Sequence, residues 1–150
     1  MTNDKLKDML ARHEGVRFKP YKCPAGFNTI GIGHNYDANP LPKDTREYLD
    51  KHGEITPAMV DKLLDSDIAM ALAACKRLYP EFDGFSEQRQ NALQDWLFNI
   101  GEGTARKFQV TNRAINEGRW DDAAQGMTNS RWFKQVGNRS KEIVAMIKEG

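Results

Sequence analysis

The stretch from Thr56 to Pro80 constrains this chain more than any other. Thr56 is a good helix cap, and Pro57 after it is pre-set for a first helical turn. From there Met59, Val60, Leu63, Leu64, Ile68, Ala71, Leu72 and Cys75 recur on one broad face until Pro80 stops the pattern. The spacing predicts one helix over 57–78, long enough to bridge two lobes. What flanks it differs in kind: strand-like residues broken by glycine and proline before it, helical periodicity after it.

On the C-terminal side, Ser86 caps a predicted helix running to Asn99, with Ala92, Leu93, Trp96, Leu97 and Ile100 apolar and Gly101 and Gly103 closing it. Shorter helical pieces are predicted over 111–117, 120–127 and 139–148. Trp96, Trp120 and Trp132 are expected in the core rather than as exposed ligand platforms. On the N-terminal side, Leu6, Met9 and Leu10 recur at helical spacing within a predicted helix over 5–13 that ends before Gly15. Residues 35–53, with Pro40, Pro42 and several charges, read as an irregular connection. The class is therefore α+β, with the strands confined to one small region.

That region carries the chemistry. Glu14 falls in the last turn of the first helix, against the negative end of the macrodipole, which disfavours a charged carboxylate by about 0.3–1 kcal/mol. A general acid needs its proton retained in this way. Phe18, Tyr21, Phe27, Ile30 and Ile32, interrupted by Pro20, Pro24, Ala25 and Gly26, suggest a tightly turned antiparallel unit. If residues 27–34 form one strand, Phe27, Thr29, Gly31 and Gly33 share a face and Asn28, Ile30, Ile32 and His34 the other. Glycines inside a strand mark a bulge or a close approach to the backbone, and a polysaccharide lying in a groove is one candidate for that approach.

The run E-G-V-R-F-K-P-Y-K-C-P-A-G-F-N-T-I-G-I-G-H from Glu14 to His34 resembles the catalytic motif of the phage-type lysozymes, the endolysin family of peptidoglycan muramidases. The likeness continues in W-L-F-N-I-G-E (Trp96 to Glu102), R-W-D-D-A-A (Arg119 to Ala124) and S-R-W-F-K-Q-V-G-N-R (Ser130 to Arg139). It implies a lysozyme-like α+β fold: a small lobe over about 15–55 with a short antiparallel hairpin sheet, the connecting helix over about 57–78, and a helical large lobe over about 79–150 joined by the N-terminal helix. It further implies a catalytic triad of a glutamate at a helix end, an acidic residue nine positions on and a threonine six beyond that. Those positions hold Glu14, Cys23 and Thr29.

Cys23 stands where the usual pattern has aspartate, and the family admits cysteine there. The substitution changes the chemistry, because an unperturbed thiol with a pKa of about 8.5 is only a few per cent thiolate at neutral pH. A neighbouring cation such as His34 would lower that value; otherwise Cys23 acts by polar contact, and a covalent glycosyl-enzyme intermediate is chemically available to a thiolate. The resemblance also implies that Arg139 pairs with the catalytic glutamate, that Asp67 partners His34 as a structural link, and that Asn35, Phe98, Asn99 and Thr111 line the saccharide site. Two rivals remain open at this stage. One is a cysteine amidase using Cys23 with His34; the other is a non-catalytic wall-binding or virion domain on the same scaffold.

Charge and composition narrow the partners. With 22 basic and 21 acidic residues the formal charge is +1, so no global field recruits nucleic acid. Residues 101–150 carry a net +3, and the window Arg131 to Lys141 holds four basic residues and no acid. Beside Trp132 and Phe133 that patch suits either an anionic wall polymer or a solvated helix surface. No run approaches the roughly 20 apolar residues of a membrane span. The opening M-T-N-D-K-L-K-D-M-L is too polar for a signal or anchor, which predicts accumulation in the host cytoplasm, a monomer, and a separate holin-type protein for release to the periplasmic wall. Cys23 and Cys75 are then expected as free thiols, Cys75 buried. His13, His34 and His52 lack metal-motif spacing, so no metal or other cofactor is expected.

Overall fold

The computed structural model describes residues 4–150; Met1 to Asn3, the start of the polar opening segment, lie outside the described residues. Helix α1 covers Asp4–Glu14, and strands β1 (Arg17–Lys22), β2 (Asn28–Gly31) and β3 (His34–Asn35) follow. Then come α2 (Lys43–His52), α3 (Pro57–Leu78), a 3-10 turn at Phe82–Gly84, α4 (Glu87–Arg106), α5 (Gln109–Asn116), α6 (Trp120–Thr128), α7 (Arg131–Val136) and α8 (Asn138–Glu149). The α+β lysozyme-like expectation holds: a small antiparallel sheet in an otherwise helical chain. By its internal contacts the chain divides between Asp67 and Ile68, inside α3.

The first unit contains α1, the sheet, α2 and the first half of α3. The sheet is an antiparallel meander in the order β1-β2-β3. Tyr21 faces Thr29 and Lys22 faces Asn28, with a bulge between Arg17 and Tyr21. Thr29 faces Asn35 and Ile30 faces His34 across β2 and β3. The run 27–34 is therefore not one strand. The chain reverses between Ile30 and His34, with Gly31 at φ +68° and Gly33 at φ +64°, conformations that side chains with a Cβ rarely adopt.

Residues 43–52 are also not an irregular connection. They form α2, with Thr45 and Leu49 buried on one face and Gly53 closing it in the left-handed conformation. Leu6, Met9 and Leu10 of α1 are buried, as the spacing predicts. Thr56 Oγ1 accepts from the Met59 N–H at 3.2 Å, so α3 starts at its predicted cap. Lys7 reaches from α1 to Asp61 at 2.8 Å and Asp65 at 2.7 Å on α3.

The second unit packs α4 to α8 with the remainder of α3. Trp96, Tyr79, Phe82, Leu93, Ile115, Met127, Ile143 and Ile147 are fully buried at its centre, and fully burying an aliphatic or phenylalanine side chain contributes about 1.5–3 kcal/mol. Trp132 is buried, while Trp120 is half-buried with the Arg89 guanidinium 4.2 Å over its ring. Ser86 caps α4 through the Arg89 N–H at 3.2 Å. Gly101 (φ +80°, ψ +158°) breaks α4, but the helix resumes to Arg106 instead of ending. Helix α7, unpredicted as an element, starts where Ser130 Oγ accepts from the Phe133 N–H at 3.3 Å. Cys75 is fully buried and its thiol is pushed up to about 12 by desolvation, which makes it a core residue and nothing more.

Candidate active site

Helix α1 delivers Glu14 to the sheet. Its last turn closes through the Gly15 N–H to the Ala11 carbonyl at 2.8 Å, with Gly15 at φ +77°. The Glu14 carboxyl group lies against the α-carbon of Gly33: a Cβ there would stand 2.7 Å from Glu14 Cδ. The close approach expected at the glycines is thus made by the protein itself, by Glu14 at Gly33 and by Val60 and Leu63 of α3 at Gly31. No polysaccharide is needed to explain either glycine.

The β1–β2 turn sets Cys23. The Gly26 N–H donates to the Cys23 carbonyl at 2.8 Å and the Cys23 N–H to the Phe27 carbonyl at 3.0 Å, with Gly26 at φ +89°. Directly opposed residues on antiparallel strands project to the same face, and the face alternates along each strand. Tyr21 and Thr29 therefore share one face, and Lys22 and Asn28 the other; continuing that alternation one residue into the turn, where the Cys23 N–H bonds to the Phe27 carbonyl, puts Cys23 and Phe27 with Tyr21 and Thr29. Thr29 is buried, and its hydroxyl donates to the Phe27 carbonyl at 2.9 Å.

Desolvation is the largest single influence on the Cys23 thiol and opposes ionisation. Backbone N–H groups of Phe27, Ala25 and Gly26 together with the Thr29 hydroxyl outweigh it and hold the pKa below the ordinary thiol value. His34 is not the cation responsible. It pairs with Ile30, so it lies on the sheet face away from Cys23 and Thr29. Its Nδ1 is 2.7 Å from Asp67 Oδ2 and its Nε2 is 2.8 Å from the Asn39 carbonyl. Both partners are acceptors, an arrangement that the doubly protonated imidazolium satisfies in full. Burial opposes that charge, yet the Asp67 carboxylate and the Asn39 carbonyl raise the His34 pKa above its ordinary value. A histidine so committed has no lone pair to offer Cys23.

Tyr21 is a neighbour of these residues that sequence reasoning did not single out. Desolvation first, and the Glu14 charge second, raise its phenol pKa, with Arg17 opposing and Cys23 adding. It stands within electrostatic reach of two triad positions, and the Arg17 guanidinium lies 4.9 Å from its ring centroid. Asn35 faces Thr29 across the sheet, and its Oδ1 accepts from the N–H groups of Asp37 and Ala38 at 3.0 Å each, a turn-capping arrangement.

In the second unit Arg139 is buried on α8 and its Nε donates to Asp95 Oδ1 at 2.8 Å. Asp95 is fully buried on α4 and was not singled out by the sequence; its only signal is a carboxylate between Leu93 and Trp96 on an apolar face. Asn99 Oδ1 accepts from Trp132 Nε1 at 2.7 Å. Thr111 is buried with its hydroxyl seated against Gly126, where a Cβ would collide with it. Phe98 is partly buried against the core. Among the described residues no cluster of three or more His, Cys, Asp or Glu is placed to hold a metal ion.

The constellation of helix-end glutamate, thiol and threonine can be compared with known proteins. The family model described as phage lysozyme matches residues 11–147. This chain belongs to the phage lysozyme family. Among relatives, it is 28% identical over 160 residues to the probable T4-type lysozyme 2 of Dictyostelium discoideum, covering 97% of this chain and 94% of that protein. It is 26% identical over 141 residues to an endolysin of Acyrthosiphon pisum secondary endosymbiont phage 1, covering 93% and 86%. It is also 29% identical over 162 residues to the pre-baseplate central spike protein Gp5 of Enterobacteria phage T4, covering 99% of this chain but 28% of that one. The phage lysozyme match includes Glu14, the whole hairpin and the Asp95–Arg139 pair.

Proposed function

We propose that this phage lysozyme family member is an endolysin that hydrolyses the β-1,4 bond between N-acetylmuramic acid and N-acetylglucosamine in bacterial peptidoglycan. Glu14 donates a proton to the bridging oxygen. Cys23 and Thr29 supply or place the attacking group from the opposite side of the sugar ring. The observation that carries the reading is the seating of the Glu14 carboxyl on Gly33, one turn of chain from Thr29, while the same sheet displays the Cys23 thiol beside the Thr29 hydroxyl.

The lowered Cys23 pKa supports cysteine doing what aspartate does at this position. The ionised thiol is an anion able to orient a water or stabilise positive charge at the anomeric carbon, and the surrounding backbone N–H groups favour that form. The Thr29 hydroxyl has one proton and two acceptors, the Phe27 carbonyl and the Cys23 sulfur. In the structure that proton is given to the Phe27 carbonyl. The amidase alternative lacks its base, since His34 faces away with both nitrogens engaged.

The same proposal covers the route. The protein collects in the host cytoplasm, a holin-type partner opens the membrane, and the wall is cut from within, causing lysis. No helix among the described residues is long and apolar enough to cross a bilayer, and relatives named endolysin, SAR-endolysin and peptidoglycan hydrolase support the lytic role. The test is Glu14→Gln. It is expected to abolish release of new reducing ends from purified peptidoglycan with the melting temperature unchanged; unmodified-like turnover by that variant would remove Glu14 from the chemistry.

A further inference from the structure

Phe27 is an anomaly in the hairpin. Its ring is 47% exposed, yet its backbone is among the most firmly held in the sheet. The carbonyl accepts from the Cys23 N–H at 3.0 Å and from the Thr29 hydroxyl at 2.9 Å. The two residues proposed to handle the attacking group thus anchor one exposed aromatic between them. The register puts its side chain on their face of the sheet, and the opposite face is tied down at Asn28, whose N–H and amide bond to Asp37 at 2.8 and 3.0 Å.

We propose that Phe27 is a saccharide-stacking residue that supports the pyranose ring neighbouring the one attacked at Cys23. The inference rests on the muramidase reading and deepens it by naming a glycan-binding position on the hairpin. Directly opposed residues in a sheet have Cβ atoms about 4.5–5.5 Å apart, which places the ring about one sugar from Cys23. The axial C–H bonds on one face of a pyranose form an apolar, weakly positive surface, and the face of an aromatic ring carries the complementary negative quadrupole. An aromatic with a pre-fixed backbone and two side-chain torsions loses little freedom on binding, so most of that contact appears as affinity. An isolated exposed phenylalanine needs no explanation in general. This one is set apart by the two bonds that its carbonyl accepts from Cys23 and Thr29.

The experiment separates binding from cleavage. Soluble glycan strands of alternating N-acetylmuramic acid and N-acetylglucosamine are titrated calorimetrically into Glu14→Gln, and into the same variant carrying Phe27→Ala or Phe27→Tyr. Phe27→Ala is expected to weaken binding about five- to tenfold, and Phe27→Tyr to restore it. In the otherwise unmodified enzyme, Phe27→Ala is expected to raise KM by a similar factor with kcat within about twofold, and Cys23 is expected to alkylate at an unchanged rate, which a disturbed hairpin would not allow. Equal binding by the alanine and parent proteins overturns the proposal, as does a fall in kcat with KM unchanged. Absence of new reducing ends from the unmodified enzyme would instead sink the hydrolase reading, and the binding comparison reads Phe27 independently of it.

Discussion

His34 Nδ1 lies 2.7 Å from Asp67 Oδ2 and Nε2 lies 2.8 Å from the Asn39 carbonyl, so β3 and α3 are joined through a buried imidazole that serves both acceptors when it is protonated. Deprotonation would leave one ring nitrogen facing an acceptor. Since the native pKa lies above the unfolded value of about 6.5, the link's contribution is complete below that value and is lost as pH rises through the raised native one. Asp67→Asn is expected to cost about 2–3 kcal/mol at pH 5 and progressively less toward pH 9. Denaturant melts of both proteins across that range check it; a stability difference independent of pH would contradict it.

Gly33→Ala tests the seat of Glu14, the proposed general acid. The added Cβ collides with the Glu14 carboxyl and the φ of +64° is unfavourable for any L side chain. Stability is expected to fall by about 1–2 kcal/mol and turnover by about tenfold or more, because displacement of a reacting group by a fraction of its working distance is costly. Gly53→Ala, at φ +74° in open space, is the comparison. It is expected to lose similar stability with activity intact, and equal loss of turnover in both variants would detach the Gly33 contact from catalysis.

The two cysteines are expected to separate cleanly on alkylation. Cys23 is partly accessible with its thiol pKa lowered, whereas Cys75 is fully buried with a thiol pushed up to about 12. Iodoacetamide applied to the native protein is expected to modify Cys23 alone, with a rate midpoint below the ordinary thiol range, and to reach Cys75 only after unfolding. Native modification of both would show the second core to be open.

How much of this was legible in the sequence follows physical lines. Helix α3 could be read because its cap, its stop and its apolar face all agree, and α4 could be read up to Gly101. Helix α2 was lost because Lys43 to His52 is almost all charged or polar, and only the Leu41, Thr45, Leu49 spacing with Gly53 as its stop betrays it. The sheet was legible as a small hairpin unit, but two positive-φ glycines end the expected single strand, so His34 reaches its expected face, with Ile30, from a separate strand β3. Glu14, Cys23 and Thr29 were visible as a spaced motif. Gly33 as a seat for Glu14, Tyr21 beside it, and Asp95 beneath Arg139 were not, since each owes its role to a neighbour distant in sequence.

That last pair gives a further test. Asp95 and Arg139 are both buried and bonded at 2.8 Å, so removing one charge takes a buried ionic partner from the other. Asp95→Ala is expected to destabilise by about 3–5 kcal/mol. Asp95→Asn, which keeps an acceptor oxygen, is expected to lose less. Equilibrium unfolding in urea distinguishes them, and near-equal stability of the alanine variant and the parent would show the buried pair to be dispensable.

The most direct test of the cleavage chemistry is product analysis of digested peptidoglycan, scoring new muramic-acid reducing ends against new free amino groups, with Cys23→Asp run in parallel. New reducing ends from both proteins, with no gain in amines, are the expected result and mark a muramidase in which a thiolate stands in for a carboxylate. Free amines that disappear in the Cys23→Asp variant would contradict it and make Cys23 the nucleophile of an amidase.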